Sequence, residues 1–195
     1  MSSRERMLAK IRASQPAPVS MPDVPLFETP AGDRIERFIA GLALYGGVAV
    51  RVDSIDAARA AIDAKFGPDV ALCSVVDAIP GSRVLAPDTP PASLHDVEVA
   101  VVPGRFGVAE TGSVWLSEVE YRVNSIGYLA QHLVIVLDEA NVVDGLQDAY
   151  LRDDFNGVRY AVLVTGPSAT ADIEGVLVRG AQGVRSLTVM LVGSR

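Results

Sequence analysis

Cysteine and histidine are scarce in this sequence, and their scarcity excludes several kinds of metal site. The 195 residues contain one cysteine, Cys73, and two histidines, His95 and His132. An iron–sulfur cluster usually takes four thiolates from its protein, and an intrachain disulfide takes two. The HExxH spacing of many zinc enzymes is also missing. We therefore expect that the chain binds no metal or other cofactor, and that Cys73, within the apolar segment VALCS, is a packing residue.

Several catalytic motifs and targeting segments are missing as well. The only lysines, Lys10 and Lys65, lie on charged faces of predicted helices, where an amine of lowered pKa is hard to arrange, so Schiff-base chemistry is disfavoured. Neither a GxxxxGK[ST] phosphate loop nor a GxSxG nucleophile motif occurs. No apolar run reaches the ~18 residues of a membrane span, and the N-terminus lacks the apolar core of a signal peptide. We therefore expect a cytoplasmic protein. The net charge of −7 argues against a nucleic-acid partner.

The N-terminal region is predicted to be separate from the body of the chain. Residues 1–12 resemble a short charged helix, and the segment SQPAPVSMPDVP after it contains four prolines, which favour an extended linker. We therefore divide the chain into 1–28 and 29–195. Thr29 and Pro30 supply an N-cap and a first helical residue for the next predicted helix. Its apolar face comprises Ile35, Phe38, Ile39 and Leu42, and Gly46-Gly47 ends it.

The rest of the chain is typical of an α/β fold. Runs rich in valine, isoleucine and leucine alternate with helical patterns, which predicts a mainly parallel sheet covered by helices on both faces. The exception is an antiparallel hairpin insertion over 105–117, whose turn contains Glu110-Thr111-Gly112. The predicted strands are 47–52, 70–74, 97–104, 132–138, 159–166 and 186–193, and the predicted helices are 54–66, 143–151 and one beginning near 168.

The segment VLVTGPSATADIE is one place where chemistry could lie. In an open parallel sheet, ligands bind beyond the carboxyl ends of the strands, at helix N-termini. A turn after the predicted strand, followed by a helix capped by serine or threonine, would leave unpaired N–H groups that hold a phosphate or carboxylate. The carboxylates of Asp172 and Glu174 would also stabilise the N-terminus of this helix, so the alternative is a capped helix that binds no ligand. The residues concerned are Gly166, Pro167, Ser168, Thr170, Asp172 and Glu174.

The second candidate is the turn of the predicted hairpin. Glu110 is a carboxylate at the end of an apolar run, beside Thr111 and Gly112. Partial burial would raise its pKa and make it an acid, base or nucleophile, whereas an exposed turn residue would have no such role. His132 opens a predicted strand and is either a catalytic group or a hydrogen-bonded core residue. Arg185 borders a flexible glycine-rich turn that could close over an anion or simply be solvated.

These segments resemble a known family, the LUD (lactate utilisation) domain, and within it the LutC or YkgG proteins. The resemblance covers 35–195 and is carried by GVAETGSVWLS, QHLVIVL and VTGPSATADIEGVLVRGAQGVRSLTVMLV. It implies a NagB/RpiA/CoA-transferase-like α/β fold and a bacterial role beside two iron–sulfur partners, of the LutA and LutB type, in oxidising L-lactate to pyruvate. The positions that match the family's motifs are Glu110, Thr111, Gly112, His132, Gly166, Pro167, Ser168, Thr170, Asp172, Ile173 and Glu174.

The sequence departs from the family pattern at two places. Leu129-Ala130 replaces the usual leucine–proline, and the usual glycine-x-His-Gly-Pro loop has Gln182 and Val184 instead of its histidine and proline. That loop is predicted to lie against the site. The resemblance therefore predicts the fold more firmly than it predicts lactate as the substrate.

Three functions follow as hypotheses. The first is an accessory subunit of an iron–sulfur L-lactate oxidation system that binds a small anion. The second is a CoA-transferase-like or sugar-phosphate-isomerase-like enzyme that uses Glu110, although fold analogy is a weak basis for an activity. The third is a scaffold without a working site. A thermal-shift screen with lactate, pyruvate, CoA and nucleotides would separate the second hypothesis from the third.

Overall fold

Six α-helices and eleven strands lie in the described part of the chain, which comprises residues 2–20, 22–23 and 25–193 of a computed structural model. The strands are β1 (Val48–Val52), β2 (Leu72–Ser74), β3 (Val99–Pro103), β4 (Phe106–Val108), β5 (Ser113–Ser117), β6 (His132–Asp138), β7 (Val142–Val143), β8 (Ala161–Val164), β9 (Ala169–Thr170), β10 (Val178–Arg179) and β11 (Ser186–Val192). The α-helices are α1 (Ser3–Ala13), α2 (Arg34–Leu44), α3 (Ile55–Phe66), α4 (Glu118–Tyr121), α5 (Ile126–Leu129) and α6 (Leu146–Tyr150).

Some predicted ranges extend past what is described. The residues Met1, Met21, Val24, Ser194 and Arg195 lie outside the described part of the chain. Within the described part, none of the helices has the length and apolar character needed to cross a bilayer.

The predicted parallel sheet is confirmed. Strands β1, β11, β6, β3 and β2 lie side by side in that order. Every neighbouring pair in this central sheet is parallel. The valine- and leucine-rich strands β6 and β11 lie in its interior, where both faces of a strand are covered, and this explains why they are apolar almost throughout.

Helices cover both faces of the central sheet, as predicted. On one face, α3 packs through Ala58 and Ile62 against the valines of β3 and β6. On the other face, α2 packs through Phe38 and Leu42, and Tyr121 of α4 belongs to the same apolar cluster. The two faces thus form separate hydrophobic layers.

A second sheet completes the fold and is larger than the predicted hairpin. β4 and β5 form the expected antiparallel pair, in which Phe106 lies opposite Trp115. β7 and β8 flank this pair, which gives the order β7-β4-β5-β8. β8, predicted as part of the main sheet, pairs antiparallel with β5 instead. Its Leu163 packs beside Phe106 and Trp115, in the apolar cluster of this second sheet.

The predicted start of α2 at Thr29-Pro30 is wrong. The helix begins at Arg34, and Asp33 is its N-cap, because the Asp33 Oδ1 accepts hydrogen bonds from the backbone N–H groups of Ile35 at 2.8 Å and Glu36 at 3.0 Å. Aspartate at this position is among the most favourable N-caps. The predicted apolar face is confirmed, since Ile35, Phe38 and Leu42 are buried.

The predicted helix after residue 168 is also wrong. Residues 169–179 form a hairpin in which β9 and β10 pair antiparallel, with Val178 opposite Thr170. Glu174 and Gly175 in its turn have φ angles of +55° and +70°, which no right-handed helix contains. Without this helix, the predicted anion site at its N-terminus has no structural basis.

Candidate functional site

Two cavities lie near the predicted site residues, at opposite ends of the central sheet. The first, about 260 Å³, lies near the carboxyl ends of the strands, where the β4–β5 turn meets the loop after β7. We call it the acidic cavity because four of the residues that line it are carboxylates. Its lining comprises Phe27, Glu28, Thr29, Pro30, Glu110, Asp144, Gly145, Gln147 and Asp148.

Glu110 lies in the acidic cavity and acts as a cap. Its Oε2 accepts a hydrogen bond from the backbone N–H of Leu146 at 2.9 Å, at the first residue of α6. The neighbouring carboxylates are also engaged: Asp148 accepts from the N–H of Gly145 at 2.9 Å, and Asp144 pairs with the Arg37 guanidinium. Among the described residues, no group of His, Cys, Asp and Glu side chains could hold a metal ion.

The residues after Glu110 join the two candidate loops. The Thr111 Oγ1 lies 2.7 Å from the Ser113 Oγ, and the Ser113 hydroxyl in turn bonds to that of Thr165. Gly112 lies directly against α2, because a Cβ at this position would stand 1.9 Å from the backbone N of Leu42. Glycine is therefore required at position 112 because the turn packs directly on the backbone of α2.

The second cavity, about 230 Å³, lies near the amino ends of the central strands. Leu133 at the start of β6 and Val184 just before β11 both line it. We call it the tyrosine cavity. Its lining comprises Tyr121, Gly127, Tyr128, Leu133, Val162, Val164, Gly166, Pro167, Ser168, Gln182, Gly183 and Val184.

The tyrosine cavity brings together two loops that the sequence analysis singled out. Ser168 anchors them: its backbone N–H donates to the Val184 carbonyl at 3.0 Å, and its hydroxyl donates to the Gln182 carbonyl at 2.8 Å. Gly166, at φ +73°, approaches α2 so closely that a Cβ would stand 2.3 Å from the Tyr45 carbonyl oxygen. The residues 166–168 and the altered loop 180–184 therefore form one wall of this cavity.

Two of the residues that line the tyrosine cavity, Tyr121 and Tyr128, carry phenolic hydroxyls, and Tyr160 lies beside them. The hydroxyls of Tyr128 and Tyr160 are hydrogen-bonded to each other, and the Tyr121 ring lies 6.4 Å from that of Tyr128. Burial raises the pKa of both Tyr121 and Tyr160 above the ordinary value, and the neighbouring tyrosines add to this. These phenols therefore stay protonated at neutral pH, as hydrogen-bond donors.

The remaining residues of the predicted helix lie apart from both cavities. Asp172, Ile173 and Glu174 are exposed in the β9–β10 turn, and Thr170 pairs with Val178. Glu110 lines the acidic cavity, whereas Asp172 is not among the described residues that line either cavity. The two carboxylates predicted to share a site are thus not brought together.

His132 and Lys65 lie at the amino edge of the central sheet. The His132 Nδ1 is 2.7 Å from the Ser186 Oγ, and burial lowers the pKa of His132. The Lys65 Nζ donates to the Thr188 Oγ1 at 2.7 Å, and burial lowers the pKa of Lys65 as well. The expectation that no such lysine would arise is wrong, because the end of α3 packs against β11. Arg185 is exposed beside Gly180, outside the lining of the tyrosine cavity.

Sequence reasoning missed the tyrosines of this cavity. Tyr121 and Tyr128 are seven residues apart, on the short helices α4 and α5, and each could be taken as an ordinary packing residue. The sequence feature that could have pointed to this packing is the glycine between the two tyrosines. Gly127 lies so close to Tyr121 that a Cβ at position 127 would stand 2.4 Å from the Tyr121 ring.

Comparisons with known proteins agree with this architecture. A crystal structure described as a DUF162 family protein from Deinococcus radiodurans matches with a TM-score of 0.61 and 16% sequence identity, over 82% of this chain and 96% of that chain. At this identity the match supports the fold alone. No curated protein matches the chain. The family model described as the LUD domain matches residues 92–192, more than half of the sequence, which includes both candidate loops. The chain therefore belongs to the LUD domain family.

Proposed function

We propose that this LUD-domain chain is of the LutC type and serves as an accessory protein of a cytoplasmic iron–sulfur system that oxidises L-lactate to pyruvate. In this role it binds a small anion in the tyrosine cavity and carries no cluster of its own. The clusters belong to partner proteins of the LutA and LutB type. The support for the pathway is the resemblance of AETG and GPSATADIE, at their separation in this sequence, to the LutC proteins.

The observation that carries anion binding is the difference between the two cavities. The lining of the tyrosine cavity contains no aspartate or glutamate among the described residues, whereas Glu28, Glu110, Asp144 and Asp148 line the acidic cavity. An anion would be repelled by the acidic cavity and would find the protonated phenol of Tyr121 in the lining of the tyrosine cavity. A hydrogen bond to a charged group contributes about 1.5–3 kcal/mol.

The size and the loops of the tyrosine cavity agree with a small ligand. A volume of about 230 Å³ is below the roughly 300–1,000 Å³ of a typical drug-sized pocket. Gly166, Pro167 and Ser168 match the family's motif and line this cavity. We therefore assign ligand contacts to these three residues and to Tyr128.

The enzymatic alternative with Glu110 is less well supported. Its carboxylate holds the N–H of Leu146 at 2.9 Å and is surrounded by other carboxylates, which would repel the anionic CoA thioesters or sugar phosphates that such an enzyme takes. A nucleophile or base in that position would also have to leave its cap. We therefore place Glu110 in a structural role.

A thermal-shift screen tests the ligand class. L-lactate and pyruvate are expected to raise the melting temperature of the wild-type chain, and CoA and sugar phosphates are expected to leave it unchanged, since a bound ligand stabilises the folded state by mass action. Stabilisation by CoA or a sugar phosphate alone would instead favour the transferase or isomerase alternative.

Genetic complementation tests the pathway. A bacterial strain that lacks its LutC-type gene is expected to regain growth on L-lactate when this chain is expressed, and the purified chain is expected to contain no stoichiometric iron or sulfide. Co-purification with the iron–sulfur partners should accompany the rescue. Normal rescue by a Ser168→Trp variant, which fills the cavity, would show that the cavity is not needed.

A further inference from the structure

The N-terminal helix α1 carries an apolar stripe and a positive charge, and it contacts little of the chain. Met7 and Ile11, one turn apart on the same face, are 63% and 53% exposed. None of the residues of α1 is buried against the described chain. The helix has its own N-terminal capping box between Ser2 and Glu5. A helix of 11 residues is marginal alone in water, so it gains stability when its stripe is covered.

The charge of α1 is opposite to that of the remaining chain. The helix contains Arg4, Arg6, Lys10 and Arg12 against one carboxylate. Removing these five charges from the 17 Lys+Arg and 24 Asp+Glu of the chain leaves 13 cations and 23 anions, a net charge of −10. No ion pair joins the four cations to any other described residue. A basic helix is thus tethered to an acidic body.

The β9–β10 turn is a surface of complementary character. Ile173, Val176 and Leu177 are 47%, 62% and 58% exposed, and Asp172 and Glu174 stand beside them without an ion pair among the described residues. A short two-stranded hairpin is marginally stable in water unless its apolar side chains are packed. This turn therefore presents an apolar surface edged by two negative charges, which matches an apolar stripe edged by positive ones.

The linker favours contact with a second molecule over contact within one chain. Residues 14–26 contain four prolines, and a proline-rich segment extends by about 3.1 Å per residue, so 13 residues in that conformation would span about 40 Å. The linker meets the body at the acidic cavity, beside the start of α2, whereas the hairpin lies at the end of α2, where Arg179 covers Gly46. That separation is about 16 Å, the length of 11 helical residues. A semi-rigid segment of that length is longer than this separation, which favours contact with a second molecule.

We propose that two copies of this chain form a dimer by exchanging their N-terminal helices, with α1 of each copy packed on the β9–β10 turn of the other. The arrangement is closed and twofold, because both copies contribute the same helix and the same hairpin. The hairpin residues 169–179 are not among the described residues that line either cavity.

Sedimentation equilibrium over a dilution series tests the dimer by charge exchange. The wild-type chain, 20.6 kDa as a monomer, is expected to have twice that mass. An Arg4→Glu/Arg6→Glu variant and an Asp172→Lys/Glu174→Lys variant are each expected to be monomers. Glutamate near a helix N-terminus is favourable, so the first variant keeps its helix. A chain that carries all four substitutions is expected to dimerise again.

The control is an Asp69→Lys/Asp88→Lys variant, which makes the same change in net charge at exposed positions outside the hairpin. It is expected to remain a dimer. A monomeric wild-type chain would overturn the proposal, as would a dimer that survives deletion of residues 2–13. Failure of the four-substitution chain to regain the dimer would also overturn it.

Discussion

Gly112 offers a sharp test of why glycine stands in the AETG segment. Its φ is +67°, and a Cβ added there would lie 1.9 Å from the backbone N of Leu42, 2.4 Å from the carbonyl carbon of Gly41 and 2.5 Å from the Leu42 Cα. These neighbours belong to the backbone of α2 and cannot rotate away. A Gly112→Ala substitution must therefore move the helix or the hairpin turn.

The expected cost has two parts. A left-handed backbone conformation costs an alanine about 1–2 kcal/mol. Forcing an extra carbon into a packed contact typically costs a further 1–3 kcal/mol. We therefore expect Gly112→Ala to lower the free energy of unfolding by about 2–5 kcal/mol, a large fraction of the roughly 5–15 kcal/mol by which a typical protein is stable.

Urea unfolding of Gly112→Ala and Gly157→Ala separates the packing contribution from the backbone contribution to the loss of stability. Gly157 also has a positive φ, +79°, but a Cβ there would meet nothing within 4 Å. Gly157→Ala therefore measures the backbone cost alone, about 1–2 kcal/mol. The Gly112→Ala loss is expected to exceed it by at least about 1 kcal/mol. Equal losses in the two variants would refute the close approach of the turn to α2.

Three further results are expected. Glu110→Ala should cost about 0.5–2 kcal/mol of stability, as for a lost helix cap, whereas Asp172→Ala should stay within about 0.5 kcal/mol; a reversed order in urea unfolding would contradict the assigned roles. At a protein concentration low enough to dissociate the proposed dimer, deletion of residues 1–25 should lower the melting temperature by less than about 5 °C, near the shift for 1–2 kcal/mol at this size; a larger loss in calorimetry under those conditions would place α1 in the core. Burial lowers the pKa of His132 below its ordinary 6.5, so its neutral form adds stability that is complete above pH 6.5 and is lost as the pH falls through the lowered pKa. His132→Gln should therefore make the free energy of unfolding less dependent on pH between about 7.5 and about 5.5. An unchanged slope would contradict this.

Local pattern was sufficient for the central strands. β3, β6 and β11 were predicted within two residues of their observed ends, because short apolar runs rich in valine favour a strand buried on both faces. The apolar spacing of Ile35, Phe38 and Leu42 likewise predicted the buried face of α2. In each case the burial of a segment is reflected in its own composition.

Long-range pairing explains what local pattern missed. Ile173, Val176 and Leu177 have helical spacing, yet Gly180 N–H donates to the Ser168 carbonyl at 3.0 Å and closes the segment as a hairpin. Strand β8 looks like a central strand and pairs with β5 outside the main sheet. Both outcomes depend on partners distant in the sequence.

The candidate site was predicted in part. Gly166, Pro167 and Ser168 do line a cavity, but their partners Tyr121 and Tyr128 come from α4 and α5. No local motif marks those tyrosines, since their role depends on where two short helices pack.

The most direct test of the central claim is calorimetric titration of L-lactate into three forms of the chain. The wild-type chain is expected to bind, and Tyr128→Phe, which removes one hydroxyl at the wall of the tyrosine cavity, is expected to bind at least about tenfold more weakly, since a hydrogen bond to a charged group contributes about 1.5–3 kcal/mol. Glu110→Gln, which removes a charge from the acidic cavity, is expected to bind as the wild type does. Loss of binding in Glu110→Gln with unchanged affinity in Tyr128→Phe would contradict the account, and so would a wild-type chain that does not bind L-lactate.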